Sequence, residues 1–286
     1  MRKCPPPLHR ALQRVGAVAV VLALGGCAAF YTPARHIDAQ ARAGDLQPVA
    51  AFAGTPVRGW LRQPPDGATS ADGTLTLYIE GDGAEWRSKF EPPIDPTPEN
   101  PLALRLALRD PSMHVAYLGR PCQYLGYFAL SRCPSILWIQ GRYGDEAVTI
   151  MSAAVDLMLL SANLQRVRLV GYSGGGTIAT LIAARRKDVV CIVTVAAPLD
   201  TETWTAAIDI SPLRYSLNPL TYAAQLAAVP QVHLAAADDA LVPHHTLQRV
   251  RDALPQVRVE VIEGFDHDCC WVQAWERLRE RTCLAG

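Results

Sequence analysis

Val167-Arg168-Leu169-Val170-Gly171-Tyr172-Ser173-Gly174-Gly175-Gly176-Thr177-Ile178-Ala179 decides how this chain is read. An apolar run of strand length meets a Gly-x-Ser-x-Gly pentapeptide, and an apolar segment of helical character follows. The pentapeptide alone is a weak signal, because glycine and serine are common. Set between a strand and a helix it acquires a physical meaning. A serine on so sharp a turn is tolerated only if its neighbours carry no side chains, and its hydroxyl is then held clear of the sheet. The N-terminus of the following helix favours negative charge beside it. A phosphate-cradling loop would need Gly-Lys-Ser or Gly-Lys-Thr, and no lysine is near.

Outward from this turn, short apolar runs alternate with amphipathic segments. Strands are predicted at Leu75–Ile79, Val115–Leu118, Val167–Val170, Val189–Val195, Val232–Ala235 and Val257–Ile262. Val189–Val195 is nearly all apolar, as a strand covered on both faces must be. Helices are predicted at Pro101–Leu108, Glu146–Leu160, Gly174–Arg185, His245–Leu254 and Trp271–Arg281. Val49–Arg62 alternates around turn residues and reads as an opening hairpin. Strands alternating with helices of this length predict a doubly wound, mostly parallel α/β sheet with helices on both faces. One domain, residues 48–286, accounts for the pattern. Residues 201–228 have weak periodicity and are expected to form a small cap or lid.

A serine hydroxyl needs a base to take its proton, and that base needs an acid to orient it. The run Val232–Ala235 leads into Ala236-Ala237-Asp238-Asp239-Ala240-Leu241-Val242-Pro243. This resembles the acid loop of α/β-hydrolases, where an aspartate stands three residues before a Val-Pro pair. The spacing selects Asp239, with Asp238 the alternative. The last strand gives way to Gly264-Phe265-Asp266-His267-Asp268, and in that family the general base lies in this loop, so His267 is assigned. His244 and His245 follow the acid too closely to reach back over the serine, and His233 and His114 read as structural. The family resemblance covers roughly Val49 to Trp275. It implies the α/β-hydrolase fold and a Ser173–His267–Asp239 triad needing no cofactor and no metal. It also implies an oxyanion hole from the amides of Gly174 and Asp82, the latter in Glu80-Gly81-Asp82-Gly83. Glu80 stands where relatives often have histidine, and the Asp82 carboxylate would have to turn away from an oxyanion. Carboxylic-ester hydrolysis is the expected activity. Acyl transfer or thioester hydrolysis would use the same groups, and a non-catalytic envelope protein using the fold as a binding module is the rival. Trp86, the 122–133 loop and Trp204–Tyr222 are expected to line an acyl pocket.

The start of the chain gives an address. Arg2, Lys3, Arg10 and Arg14 precede the apolar stretch Val15–Leu24, which at about ten residues is too short to span a bilayer needing about 20. It ends in Leu24-Gly25-Gly26-Cys27, which resembles the lipobox of bacterial lipoproteins. That resemblance implies a signal peptide over 1–26, an acylated Cys27 as mature N-terminus and a tether over 27–47. Ala28 is not the aspartate that retains such proteins at an inner membrane, so an outer-membrane anchorage in the cell envelope is expected. The partners would be that membrane and a small-molecule or lipid-like ester.

Of 8 cysteines, Cys4 lies in the expected signal peptide and Cys27 in the lipobox. In an oxidising envelope the rest are expected to pair: Cys122 with Cys133 across a short loop, and Cys283 with Cys270 or Cys269. Cys191, inside an apolar strand, reads as a buried thiol. The adjacency of Cys269 and Cys270, without a second ligand pair, argues against zinc. Basic and acidic residues number 27 each. Such a balanced chain lacks the cationic excess that nucleic-acid binding requires.

Overall fold

The computed structural model describes residues 33–62, 64, 73–84 and 91–285. The signal segment, Cys27, the turn at Pro65-Asp66-Gly67 and Trp86 lie outside them.

Eight strands form one sheet: β1 (Leu46–Pro48), β2 (Gly59–Arg62), β3 (Thr74–Ile79), β4 (Val115–Leu118), β5 (Arg166–Tyr172), β6 (Val189–Val195), β7 (Gln231–Ala236) and β8 (Arg258–Ile262). Their order is β1-β2-β4-β3-β5-β6-β7-β8. All pairings from β4 to β8 are parallel, while β2 runs antiparallel to both β1 and β4. The helices are α1 (Pro33–Arg42), α2 (Leu102–Leu108), α3 (Tyr127–Leu130), α4 (Asp145–Ala162), α5 (Gly174–Ala183), α6 (Thr201–Ala207), α7 (Ala223–Leu226), α8 (Gln248–Ala253) and α9 (Trp271–Arg279).

The period of two along each strand divides the interior into two layers. Leu75, Leu77 and Ile79 of β3 face α4 and α5 in one core. Tyr78, between them, faces α1, α2 and α9 in the other, with Trp60, Trp271 and Trp275. Every residue of β3 is buried, including Thr74 and Thr76, which share a face with Tyr78. The Trp275 indole donates to the Tyr78 hydroxyl at 3.0 Å, and that hydroxyl donates to Asp110 at 2.7 Å.

Residues 33–47 are not a tether. α1 buries Ile37 and Ala41, four apart, against Leu46 and Trp60, and β1 closes the edge of the sheet. The opening hairpin therefore begins at Leu46 rather than Val49. Residues 201–228 carry α6 and α7, but Trp204, Leu213 and Leu226 are buried in the main core, so the segment packs on the sheet's helices and makes no separate lobe.

Cys122 and Cys133 are joined, bracketing α3. The other two bridges correct the expectation for Cys270 and Cys283, which are not bonded to each other. Cys191 of β6 is bonded to Cys283, and Cys269 is bonded to Cys270 across a cis peptide bond. The reason is helical rise. α9 separates Cys270 from Cys283, and its 9 residues at about 1.5 Å each carry the chain some 13 Å along. Disulfide-bonded Cα atoms lie only about 4.4–6.8 Å apart. At its far end the helix sets Cys283 over β6, 5.9 Å in Cα separation from Cys191.

Candidate active site

β5 delivers the chain to Ser173 at φ 49° and ψ −127°, a conformation that L-residues adopt only under constraint. The constraint is steric closeness on all sides. A Cβ on Gly171 would sit 2.4 Å from the Gly175 carbonyl oxygen, and one on Gly175 would sit 2.3 Å from that of Ile79. Both are backbone contacts that cannot yield, so glycine is required for the turn to close against β3.

Asp239 follows β7, and His267 follows β8. In a parallel sheet both loops emerge at the same end as the one carrying Ser173. His267 Nδ1 lies 2.8 Å from Asp239 Oδ2, and its Nε2 lies 3.1 Å from Ser173 Oγ. An ionised carboxylate only accepts, so Nδ1 carries the proton and Nε2 is left to accept from the hydroxyl. The second oxygen of Asp239, Oδ1, takes the amides of Leu241 at 2.8 Å and Val242 at 2.7 Å, which fixes the carboxylate in its plane. Asp238, the alternative acid, does not make the contact with His267; its amide donates to the Phe265 carbonyl.

The His267 loop is tied on several sides. Tyr172 packs its ring 5.2 Å from the imidazole and donates its hydroxyl to Asp268 at 2.9 Å. Burial, then the neighbouring Asp268 carboxylate, pushes that phenol's pKa far above its ordinary value, so it stays a donor. Asp266 Oδ1 accepts the amides of Cys269 and Asp268, bonds that pull its pKa down. The Trp271 indole donates to the His267 carbonyl at 3.0 Å.

The Gly81–Asp82 turn abuts the nucleophile: a Cβ on Gly81 would lie 3.4 Å from Ser173 Cβ. Neither the Asp82 nor the Gly174 amide donates to a backbone carbonyl among the described residues. The Asp82 carboxylate lies against Gly174, where a Cβ would meet Oδ1 at 1.9 Å. It is not left bare. Oδ1 accepts from Arg120 at 3.1 Å, and Oδ2 accepts from Arg142 at 3.2 Å and from the Tyr143 hydroxyl at 2.6 Å. Burial by itself would raise the Asp82 pKa, but the charges of Arg142 and Arg120 outweigh it and hold the carboxyl below its usual range. Glu80 is turned elsewhere, accepting from the Gly81 amide and from the Tyr117 hydroxyl.

Of the remaining histidines, His233 is wholly inside the sheet, donating to Gln231 at 3.1 Å and accepting from Thr194 at 2.9 Å. Burial lowers its pKa to about 4. The neutral ring is thus the folded form, and the unfolded chain binds the proton first as pH falls. Stability is complete above the unfolded value of 6.5 and is lost between there and about 4, by about 3 kcal/mol. Thermal melts at pH 7 and pH 4.5 should show a drop that is clearly smaller in His233→Gln. An equal drop in the variant would remove His233 from the account. Among the described residues no three of His, Cys, Asp and Glu are grouped as metal ligands.

No protein-family model matches the chain, and no curated protein sequence matches it. Solved structures do. The Pyrococcus furiosus esterase Pf2001 superposes with a TM-score of 0.54 at 15% identity, over 82% of this chain and 88% of that one. Est1E from Butyrivibrio proteoclasticus gives 0.55 at 13% identity, over 83% and 97%. A puromycin hydrolase gives 0.55 at 20% identity; 81% of this chain is covered, but only 37% of that one. The chain has the α/β-hydrolase fold.

Within the α/β-hydrolase fold, Ser173, Asp239, His267, Gly174 and Asp82 all come from loops at the carboxyl end of the strands. Arg120, Arg142 and Tyr143 join them there without having been expected. Their signal was indirect, since a carboxylate packed beside Gly174 requires a buried cation, but nothing local says which arginine supplies it. Trp204, expected to line an acyl pocket, is instead buried with its indole donating to the Leu241 carbonyl at 2.7 Å, bracing the acid loop. Asp82, Pro96, Arg120, Gln123, Trp138 and Arg142 line a narrow crevice beside the turn.

Proposed function

We propose that this protein is a serine hydrolase that cleaves carboxylic esters through an acyl-enzyme on Ser173. The observation that carries this reading is the hydrogen-bonded line from Asp239 through His267 to Ser173, with separations of 2.8 and 3.1 Å. His267 takes the Ser173 proton as Oγ attacks the ester carbonyl, and Asp239 holds the imidazole in the required tautomer and stabilises the imidazolium. The amides of Gly174 and Asp82 receive the oxyanion, aided by the N-terminus of α5. The proton then passes from His267 to the departing alkoxide. Water, activated by the same imidazole, releases the acid and restores Ser173. The two esterases and the puromycin hydrolase among the solved structures of this fold support hydrolysis as the class of reaction. The address that accompanies this reading is the bacterial cell envelope with an acylated Cys27, supported by the Leu24-Gly25-Gly26-Cys27 sequence.

A fluorophosphonate probe tests the reading directly. The phosphonyl adduct should map to Ser173 by mass spectrometry, and should vanish in Ser173→Ala and in His267→Ala. A folded protein that takes up no probe would end the proposal.

A further inference from the structure

Of the eight large apolar side chains exposed among the described residues, Met113 at 38% and Leu160 at 78% lie towards the amino end of the parallel strands, and the other six lie towards the carboxyl end. Ile94 is 82% exposed, Tyr127 and Phe128 80% each, Tyr215 70% and Leu241 53%. Ile94 lies in the segment after β3, Tyr127 and Phe128 after β4, Tyr215 after β6 and Leu241 after β7. All five therefore stand at the carboxyl end of the parallel strands, where Ser173 stands after β5. The segments that carry four of them meet along the stretch between β4 and α4. The Trp138 indole donates to the carbonyl of Pro93, the residue before Ile94, and Ser216, next to Tyr215, accepts from the Tyr143 amide. Tyr127 and Phe128 pack edge to face on α3, whose loop the Cys122–Cys133 bridge closes. Exposed apolar side chains gathered at one end of a fold, rather than scattered singly over it, mark an interaction surface.

The anchor side of the chain arrives at the same end. Gly59 pairs with Leu118, the last residue of β4, so Gly59 and its neighbour Trp60 mark the carboxyl end, while Arg62 marks the opposite one. β1 pairs Leu46 with Arg62 and Pro48 with Trp60. The C-terminal end of α1 comes down beside Arg62, which donates to the Gly44 carbonyl, while Asp38, a turn earlier, accepts from Trp60. Pro33 thus begins α1 at the carboxyl end of the strands. Cys27 precedes it by six residues, a chain length of at most about 20 Å.

We infer that the rim carrying Ile94, Tyr127, Phe128, Tyr215 and Leu241 docks onto a phospholipid bilayer, setting the end of the sheet that carries Ser173 against the membrane surface. Tyrosine suits such a boundary, with an apolar ring and a polar tip, and apolar area placed in the interface adds to whatever an acyl chain contributes. The inference stands on the surface and on the direction of α1, and is independent of which bond Ser173 attacks.

The test places the full chain in phosphatidylethanolamine–phosphatidylglycerol vesicles doped with a phospholipid that bears a diazirine in mid-chain. After photolysis, carbene adducts are mapped by mass spectrometry. Adducts should fall at Ile94, Tyr127, Phe128, Tyr215 and Leu241, and Leu160, exposed at the opposite end, should carry none. Tyr127→Ser with Phe128→Ser should lower the yield at the other three positions by about fivefold or more, with an unchanged melting temperature. Leu160→Ser should change nothing. Adducts confined to residues before Pro33 would overturn the inference and leave a second copy or a protein partner to cover the rim. Adducts spread over both ends, or none anywhere, would overturn it too.

Discussion

Replacing His267 with alanine should lower kcat for a neutral aryl ester on the order of 10⁶-fold, because an unassisted serine hydroxyl is a poor nucleophile at neutral pH. The geometry explains why so much rides on one ring. Nε2 is the group within reach of Ser173 Oγ, at 3.1 Å, and Asp239 is already committed to Nδ1. Removing Ser173 in the same chain should add little, since the two residues act as a unit. Asp239→Asn should cost less, about 10⁴-fold, because an amide can donate to Nδ1 and so stabilise the wrong tautomer. Steady-state kcat for the three single variants and the double variant decides the matter. A loss of less than tenfold in a folded His267→Ala would mean another group is the base.

The second large effect concerns folding. Asp82→Ala should destabilise the protein by about 3–5 kcal/mol, because Arg120 and Arg142, exposed by only 3% and 8%, would keep their charges without the carboxylate between them. For a domain of this size that is a fall in melting temperature of about 6–20 °C. Since the folded pKa of Asp82 lies below its ordinary value of 3.8, the contribution is complete above that value and is lost as pH falls beneath it. The melting difference between wild type and variant should therefore be undiminished at pH 6. Changing both arginines to apolar residues alongside Asp82→Ala should recover much of the loss, as replacing a whole buried ionic cluster often does. A variant as stable as wild type would show that water already serves the two guanidiniums.

The parts of this site written in short stretches of chain were legible, and those that depend on remote segments were not. Gly171 to Gly175 reveals its turn because the sterics are contained within five residues and the two elements on either side. Asp239 was separable from Asp238 by its distance from Val242 and Pro243, and the structure supplies the cause in the Leu241 and Val242 amides that grip it. Arg120 and Arg142, in contrast, meet Asp82 across 38 and 60 residues of chain. No local pattern distinguishes them from the other arginines. Cys191 read as a buried thiol because an apolar strand hides a sulfur whether bonded or free. Residues 33–47 looked featureless because the alanines between Ile37 and Leu46 blur the helical period that the structure buries.

The Cys191–Cys283 bridge has a consequence for the integrity of the site. It closes a ring of chain with a sequence separation of 92 residues, and Asp239 and His267 both lie inside that ring. The acid and the base are thus held on one covalent circuit whose clasp is on β6, the strand beside the one that carries Ser173. A protease that cuts an exposed loop between residues 191 and 283 would open the circuit without releasing either half. Its two ends would remain fastened to the middle of the sheet, and the hydrogen-bonded line from Asp239 through His267 to Ser173 would survive a wound that severs the chain.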